Sequence, residues 1–267
     1  MSKIIQEQFD KNGYYLAKGL FSQDKLEHLE QEFDRVLQIL SASEEDNNGR
    51  WDSAALTKLE ANSKPASAAN TQLQTSITHS HMIHRFSAAW GQAMFDPALL
   101  EISRQILGEN IVLHHNKLFH KPGGHGAGFP VHQDWSYFPM KRDSMIAAVV
   151  HLTSATDEMG CIRVFPGSHK LGRMNHSAGT EKGESFAERF PLEESIAIEA
   201  EPGDVLFFHY FTLHASKPNL SNKERKTVLI QMHAGEDQPE DREIHPYDQL
   251  VLSGINPYMS RSDCNRI

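Results

Sequence analysis

Three things are scarce in this chain. Cysteine occurs only twice in 267 residues. Cys161 and Cys264 are too few and too far apart for a disulfide framework, so a reducing cytoplasm is the expected compartment. No apolar run approaches the roughly 20 residues that span a bilayer. The start, Met1-Ser-Lys-Ile-Ile-Gln-Glu-Gln, lacks the apolar stretch and small-residue cleavage site of a secretory signal. Positive charge is also in deficit, with 26 Lys and Arg against 35 Asp and Glu for a net −9. Phosphate contacts need concentrated cations, and the sequence has neither a basic stripe nor a polybasic anchor. Nucleic acid and membrane are therefore excluded as partners, and no feature calls for an obligatory protein partner.

What the chain has in plenty is histidine, at 16 residues. Most of these should be surface or ordinary hydrogen-bonding side chains, but the enrichment directs attention to a metal site. The length suffices for one large β-rich domain with a substantial core, and would also accommodate two smaller ones.

Residues 9–21 (FDKNGYYLAKGLF) read as a short strand broken by glycine turns. Ser22 can cap a helix that carries Leu26, Leu29, Phe33, Val36, Leu37 and Leu40 at helical spacing. Residues 41–72 are polar and rich in Ala, Ser and Asn, which predicts a long loop or lid. Asp96-Pro97 signals a second helix, with Leu99, Leu100, Ile102 and Ile106 on one face and Gly108 beyond its end. From there the texture changes. Residues 111–121, 144–153, 161–166, 196–201, 205–211 and 226–233 read as strands separated by Gly/Pro-rich turns. Helices first and many short strands afterwards predict one mainly β domain over residues 1–267, an antiparallel sandwich or barrel with helices outside it. No internal repeat and no linker divides it.

The chemistry begins at Phe129-Pro-Val-His-Gln-Asp134. On a strand, residues two apart project from one face, so His132 and Asp134 can address one atom together. An imidazole and a carboxylate suit a divalent transition metal but leave most of its coordination sphere unfilled, so a third ligand is required. Downstream, Pro202-Gly-Asp204 launches an apolar strand that carries two candidates, His209 and His214. Either could equally be a hydrogen-bonded core residue. After His214 the chain turns and returns as the strand that follows Arg225, whose guanidinium fork would suit a carboxylate near the metal. Taken alone, Arg225 reads as a surface salt bridge.

In combination these pieces resemble the phytanoyl-CoA dioxygenase family. The order His132-x-Asp134, His214, then Arg225 eleven positions on carries the likeness. Tyr137-Phe-Pro139, Glu158-Met-Gly-Cys161, Phe165-Pro-Gly-Ser-His169, Pro202-Gly-Asp204 and Gly13-Tyr14…Gly19-Leu-Phe21 support it. The resemblance implies a double-stranded β-helix, or jelly roll, in which two histidines and a carboxylate occupy one face of Fe(II). It implies His132, Asp134 and His214 as metal ligands and catalytic residues, with Arg225 and Ser216 binding the distal carboxylate of 2-oxoglutarate. Lys117 falls at a family position near the cosubstrate. The implied reaction consumes O₂ and 2-oxoglutarate, releases succinate and CO₂, and hydroxylates a small molecule. A carboxylate at Asp134 favours hydroxylation over the halogenation of relatives with a small residue there. Two other readings stand beside it, a zinc hydrolase using the same triad and a non-catalytic jelly-roll sensor.

For the substrate the expectation is a small polar anion or zwitterion. If strand alternation holds, His151 faces the metal side, with Lys117 and Arg163 available from neighbouring strands. Surplus cationic donors suit a phosphonate or carboxylate. Residues 115–169 are also similar to bacterial 2-aminoethylphosphonate hydroxylases. The leading candidate is thus an aminoalkylphosphonate such as 2-aminoethylphosphonate, the alternative an amino acid or natural-product intermediate. His120, His125 and His233 read as structural or loop residues.

Overall fold

The computed structural model describes residues 2–42, 79–124, 126–174, 186–240 and 248–260. In chain order the elements begin with helix α1 (Ser2–Asn12), strand β1 (Tyr14–Ala17), helix α2 (Gln23–Ala42) and strand β2 (His79–His81). Helices α3 (Ala88–Ala93) and α4 (Pro97–Leu107) follow. Then come β3 (Ile111–Lys121), β4 (Phe129–His132), β5 (Ile146–His151) and β6 (Ile162–Val164). A short helix α5 (Phe186–Arg189) precedes β7 (Ile196–Ile198), β8 (Val205–His209), β9 (His214–Ser216), β10 (Arg225–Ala234) and β11 (Val251–Ser253).

The strands form two antiparallel sheets. The larger has the order β1-β8-β5-β10-β3-β11, with β2 added beside β3. The smaller has the order β4-β9-β6-β7. Strand alternation decides what each face of the large sheet meets. Ile146, Ala148 and Val150 of β5, with Val205, Phe207, Val228 and Ile230, join Phe33, Trp90 and Leu99 of the helices in one core. The residues between them, Ala147, Val149, Leu206, Phe208 and Leu229, meet Val164 and Ile198 of the small sheet in a second. Both faces of the large sheet are therefore covered, which is why β5 reads as an unbroken apolar run and not as an alternating one. This is the jelly roll of the expectation, with the helices on one outer face.

The helix signals act locally as expected. The Asp96 carboxylate accepts hydrogen bonds from Ala98 N and Leu99 N, Pro97 opens the helix, and Gly108 closes it at φ 92°. On α2, Leu26, Leu29, Phe33, Val36 and Leu40 are buried at three- and four-residue spacing. The N-terminal expectation needs correction. Phe9 to Asn12, read as the start of a strand, are the last turn of α1, and only Tyr14–Ala17 are extended. The helix there is short and buries only part of one face, so its apolar signal was too sparse to separate from a strand. The proposed lid at residues 41–72 lies outside the described residues beyond Ala42, where α2 ends.

The turn before β8 ties the N-terminal strand to the sheet. Gly203 takes φ +91°, and a Cβ there would meet Phe21 O at 2.6 Å. Asp204 accepts hydrogen bonds from Gly19 N at 2.8 Å, Glu201 N at 2.8 Å and Lys18 Nζ at 2.7 Å. Burial alone would raise its carboxyl, but these donors hold it below the usual carboxylate range. Asp204→Ala leaves two backbone donors without an acceptor and should cost about 2–3 kcal/mol by chemical denaturation. Because the folded pKa is depressed, this stabilisation is present above about pH 4 and is lost as pH falls through the folded value. Melting temperatures taken between pH 7 and pH 3 should fall more steeply for the parent than for the variant.

Candidate functional site

The site lies between the sheets, where β4 and β9 of the small sheet face β10 and β3 of the large one. His132 and His214 are register partners across β4 and β9, and their ring centroids stand 4.2 Å apart. Asp134 lies past the end of β4, in a 3₁₀ turn over Asp134–Ser136. The reading that put His132 and Asp134 on one strand is thus corrected in detail. Gln133 keeps extended angles of φ −114° and ψ 141°, so the two-residue projection survives the end of the strand. Asp134 Oδ1 is 3.5 Å from His132 Nε2 and 3.6 Å from His214 Nε2.

Each ligand atom is aimed from behind. His132 Nδ1 donates to Pro130 O at 2.8 Å, and His214 Nδ1 donates to Thr212 O at 2.9 Å. A carbonyl can only accept, so each Nδ1 carries the proton and each Nε2 presents its lone pair inward. Gln231 Nε2 donates to Asp134 Oδ2 at 2.6 Å, which leaves Oδ1 facing the imidazoles. Burial alone would raise the Asp134 carboxyl, but His214, His132 and Lys117 together hold it below its ordinary value. Two neutral imidazoles and one carboxylate, converging to within 4.8 Å of one another, are a donor set that fits a divalent iron. Among the described residues this is the one cluster of three with that convergence. His209, the competing candidate, is spent elsewhere. Its Nδ1 accepts from Phe211 N at 3.1 Å and its Nε2 donates to Asp143 O at 3.0 Å.

Beside the triad the cavity is lined by Lys117, Phe119, Phe129, Tyr137, Ser216 and Arg225, among others. Register explains the set. Arg225, Leu229 and Gln231 on β10 pair with Lys121, Lys117 and His115 on β3, so residues two apart from Arg225 onward all face the metal side. Ser216 lies two residues beyond His214 on β9 and shares its face. The Arg225 guanidinium is buried and donates from Nη1 to Gly160 O, while its Nε has no partner. Burial pulls its pKa down to about 10. Lys117 is only 1% exposed, with Nζ 4.9 Å above the Phe138 ring. Burial pushes its pKa down to about 7, against the pull of Asp134.

Two expected substrate residues are not cations in the cavity. His151 shares the inner face of β5 but sits beyond the cavity, with Nδ1 3.2 Å from Asp204 O. Burial, then the charge of Arg225, pushes its pKa down to about 4, so it is neutral at physiological pH. Arg163 lies between Ile162 and Val164 on β6 and points the other way. It binds Ser195 Oγ at 2.9 Å, Ser195 O at 2.7 Å and Asp157 Oδ1 at 2.5 Å. On a three-residue strand one position decides the face, and for Arg163 it is the outer one. His120 pairs with Glu224 outside the cavity, His233 is buried, and His125 lies outside the described residues.

Sequence reasoning missed three side chains. Gln231 is one polar residue inside an apolar strand, and counting by twos from Arg225 would have found it. Gln133 is fully buried and fixes the loop that carries Asp134, donating to Gly172 O and Phe211 O and accepting from Trp135 Nε1 at 2.6 Å. Lys121 lies four positions beyond Lys117 and so on the same face. It donates to Ser216 Oγ at 2.7 Å.

Comparison with known proteins gives this site its context. The family profile described as Phytanoyl-CoA dioxygenase (PhyH) matches residues 9–227. A protein of Stutzerimonas stutzeri described as "Probable alpha-ketoglutarate-dependent hypophosphite dioxygenase" is 30% identical over 173 residues, covering 61% of this chain and 60% of that protein. The methylphosphonate hydroxylase of Gimesia maris is 26% identical over 149 residues, covering 56% of this chain and 55% of that protein. The chain thus matches little more than half the length of either relative. In fold it is similar to EctD from S. alaskensis, solved with 2-oxoglutarate and 5-hydroxyectoine, with a TM-score of 0.67 and 23% identity over 90% of this chain and 78% of that one. With more than three quarters of its length inside the profile, the chain belongs to the phytanoyl-CoA dioxygenase family of iron- and 2-oxoglutarate-dependent dioxygenases.

Proposed function

We propose that this protein hydroxylates a small anion or zwitterion, with an aminoalkylphosphonate such as 2-aminoethylphosphonate as the leading candidate. In this reading His132, Asp134 and His214 hold the iron, and Arg225 with Ser216 receives the distal carboxylate of 2-oxoglutarate. The bound iron and 2-oxo acid supply the O₂ chemistry, in which succinate and CO₂ are released and the substrate is hydroxylated. The chain's own residues do the positioning. Gln231 holds Asp134 in one orientation, and the backbone carbonyls of Pro130 and Thr212 fix the two imidazoles. Phe119, Phe129 and Phe208 give the cavity apolar walls that keep water from the reacting centre.

The observation that carries the substrate class is Lys117, a buried amine on the cavity wall close enough to Asp134 to feel its charge. An amine whose pKa has fallen to about 7 regains its proton beside an anion, so a bound phosphonate or carboxylate offsets the cost of its burial. With His151 neutral and Arg163 outside, the surplus of charge narrows to this one group. Two relatives whose names specify hypophosphite and methylphosphonate support a small phosphorus oxyanion. Cys161, buried and free, fits a reducing cytoplasm.

Two measurements test the reading. His132→Ala, Asp134→Ala and His214→Ala should each lose bound iron and succinate formation, while His209→Ala keeps both; the reverse pattern at His209 and His214 would replace the third ligand. Succinate release should then be followed across aminophosphonates, amino acids, betaines and acyl-CoA esters. An aminophosphonate should couple most strongly, and Lys117→Ala should raise its KM about tenfold or more. Coupling to an acyl-CoA with no response to any small anion would overturn the substrate class.

A further inference from the structure

Residues 172–174, between β6 and α5, grip the loop that carries Asp134. The Gln133 amide is held there as a neighbouring strand would be. Its Nε2 donates to Gly172 O at 2.9 Å, and its Oε1 accepts from Met174 N at 3.0 Å. The same Oε1 accepts from Trp135 Nε1 at 2.6 Å, so the residues on either side of Asp134 are joined to each other and to this segment. Arg173, at the centre of the three, reaches over the indole, with its guanidinium carbon 5.4 Å from the Trp135 ring centroid. Phe211 packs edge-on against Trp135, with ring centroids 6.4 Å apart.

The guanidinium is itself fixed from elsewhere. Its Nε donates to both Asp143 carboxylate oxygens, at 3.0 and 3.3 Å. Its Nη2 donates to Asp143 Oδ1 at 2.7 Å and to Met140 O, and Nη1 pairs with Glu240 Oε1 at 2.6 Å. Asp143 is anchored in turn. It takes φ +56°, its Oδ1 accepts from Tyr210 OH, and its backbone O accepts from His209 Nε2 at 3.0 Å. Tyr210 O then accepts from Trp135 N at 3.3 Å, which closes the circuit on the metal loop. An ordinary surface arginine makes one ion pair and gains little from it. Arg173 is 33% exposed, yet it ties together residues 140–143, Glu240 and the residue next to Asp134.

We infer that Arg173 is a positioning residue for the metal site: stacked on Trp135 and held by Asp143 and Glu240, it sets where the Asp134 carboxylate stands against His132 and His214. The inference rests on the metal reading above. It also gives His209 and Tyr210 a use, since they hold the acid that holds Arg173. Removing the guanidinium has two effects of opposite sign. By charge alone, Arg173→Met deletes a cation and leaves Asp143 and Glu240 uncompensated, which draws a divalent ion more tightly. By position, it frees Trp135 and lets the Asp134 carboxylate leave the point of convergence, which weakens the ion. The direction of the change decides between them.

Dissociation constants for Mn(II) are measured by calorimetry on the full chain. Arg173→Met should weaken Mn(II) about tenfold, the loss expected when an outer support of a ligand is removed. Arg173→Lys keeps the charge but not the plane, and should weaken it about threefold or more. Asp204→Ala, which destabilises the turn before β8, should bind Mn(II) as the parent does. The visible bands of the Co(II)-loaded protein should shift in Arg173→Met and stay in place in Asp204→Ala. Unchanged or tighter Mn(II) binding in Arg173→Met, or in Arg173→Lys should Arg173→Met not fold, would overturn the inference and leave the metal site intact. Full recovery in Arg173→Lys would overturn the route through Trp135, and with it the inference. Equal weakening in Asp204→Ala would reduce Arg173 to a structural role. A parent that binds no Mn(II) would overturn the metal reading itself.

Discussion

Strand register forces Arg225 and Lys121 to face each other across β10 and β3, buried and without a carboxylate among the described residues. Holding both groups charged away from water is costly, and burial, then the charge of Arg225, pushes the Lys121 pKa down to about 6. Here the cost is tempered by backbone carbonyls, above all that of Gly160, which accepts from both side chains. Carbonyl dipoles offset part of the desolvation but supply no net negative charge. In the proposed reading, the distal carboxylate of the cosubstrate is the occupant that such a site favours. Much of the surrounding architecture serves this constraint. The large sheet is covered on both faces, β3 and β10 pair along their length, and the turn carrying Gly160 is closed by a hydrogen bond from its N–H to Asp157 O.

The metal end is organised by a different means. None of the three candidate ligand side chains is oriented by a salt bridge to an outer carboxylate among the described residues. Two backbone carbonyls and one glutamine amide fix them instead. Backbone groups move only with the strand that bears them, so the lone pairs of His132 and His214 are as rigid as the β4–β9 pair. The bulge between Phe129 and His132 re-aims the end of β4 and lets the chain pass into the turn at Asp134. Gln133, fully buried between the ligand positions, pins that turn to Gly172 and Phe211.

The jelly roll and the face that gathers His132, Asp134 and His214 were legible because both rest on local periodicity. The two-residue projection in His132-x-Asp134 and the apolar runs of β5, β8 and β10 survive translation into three dimensions with little change. The distinction between His209 and His214 was not legible from spacing. Both sit among the same aromatic residues, and only the turn at Tyr210–Leu213 reverses which face the second histidine meets. Arg163 was misassigned because β6 is three residues long, so neighbouring turns and not an extended alternation set its direction. His151 was placed on the correct face, but sequence carries no information on depth, and depth makes it neutral. Lys121 and Gln231 were within reach of counting by twos from Lys117, which the family resemblance supplied, and from Arg225, which the return of the chain after His214 supplied. They were passed over because a lysine near a strand end and a glutamine amid apolar residues are ordinary in isolation.

These corrections change the physical case for the substrate. A cavity ringed by several cations would hold a polyanion tightly and discriminate little among anions. The structure leaves one buried amine, Lys117, on the side of the cavity toward Phe138, and a cluster of imidazoles next to it on β2 and β3. His81 stacks on His115 with centroids 5.5 Å apart, and His79 stacks on Phe119. Burial pushes the His79 pKa down to about 4, so at neutral pH that ring offers hydrogen bonds and apolar area but no charge. In the proposed reading the substrate's negative group is met by Lys117, and the remainder of the molecule by the aromatic walls of the cavity, Phe119, Phe129 and Tyr137. That division suits a small zwitterion, whose single anionic end sets its orientation and whose short chain reaches the metal. In the proposed reading, Arg225 with Ser216 takes the second carboxylate of the cosubstrate at one end of the cavity, and Lys117 takes the substrate's anion at the other.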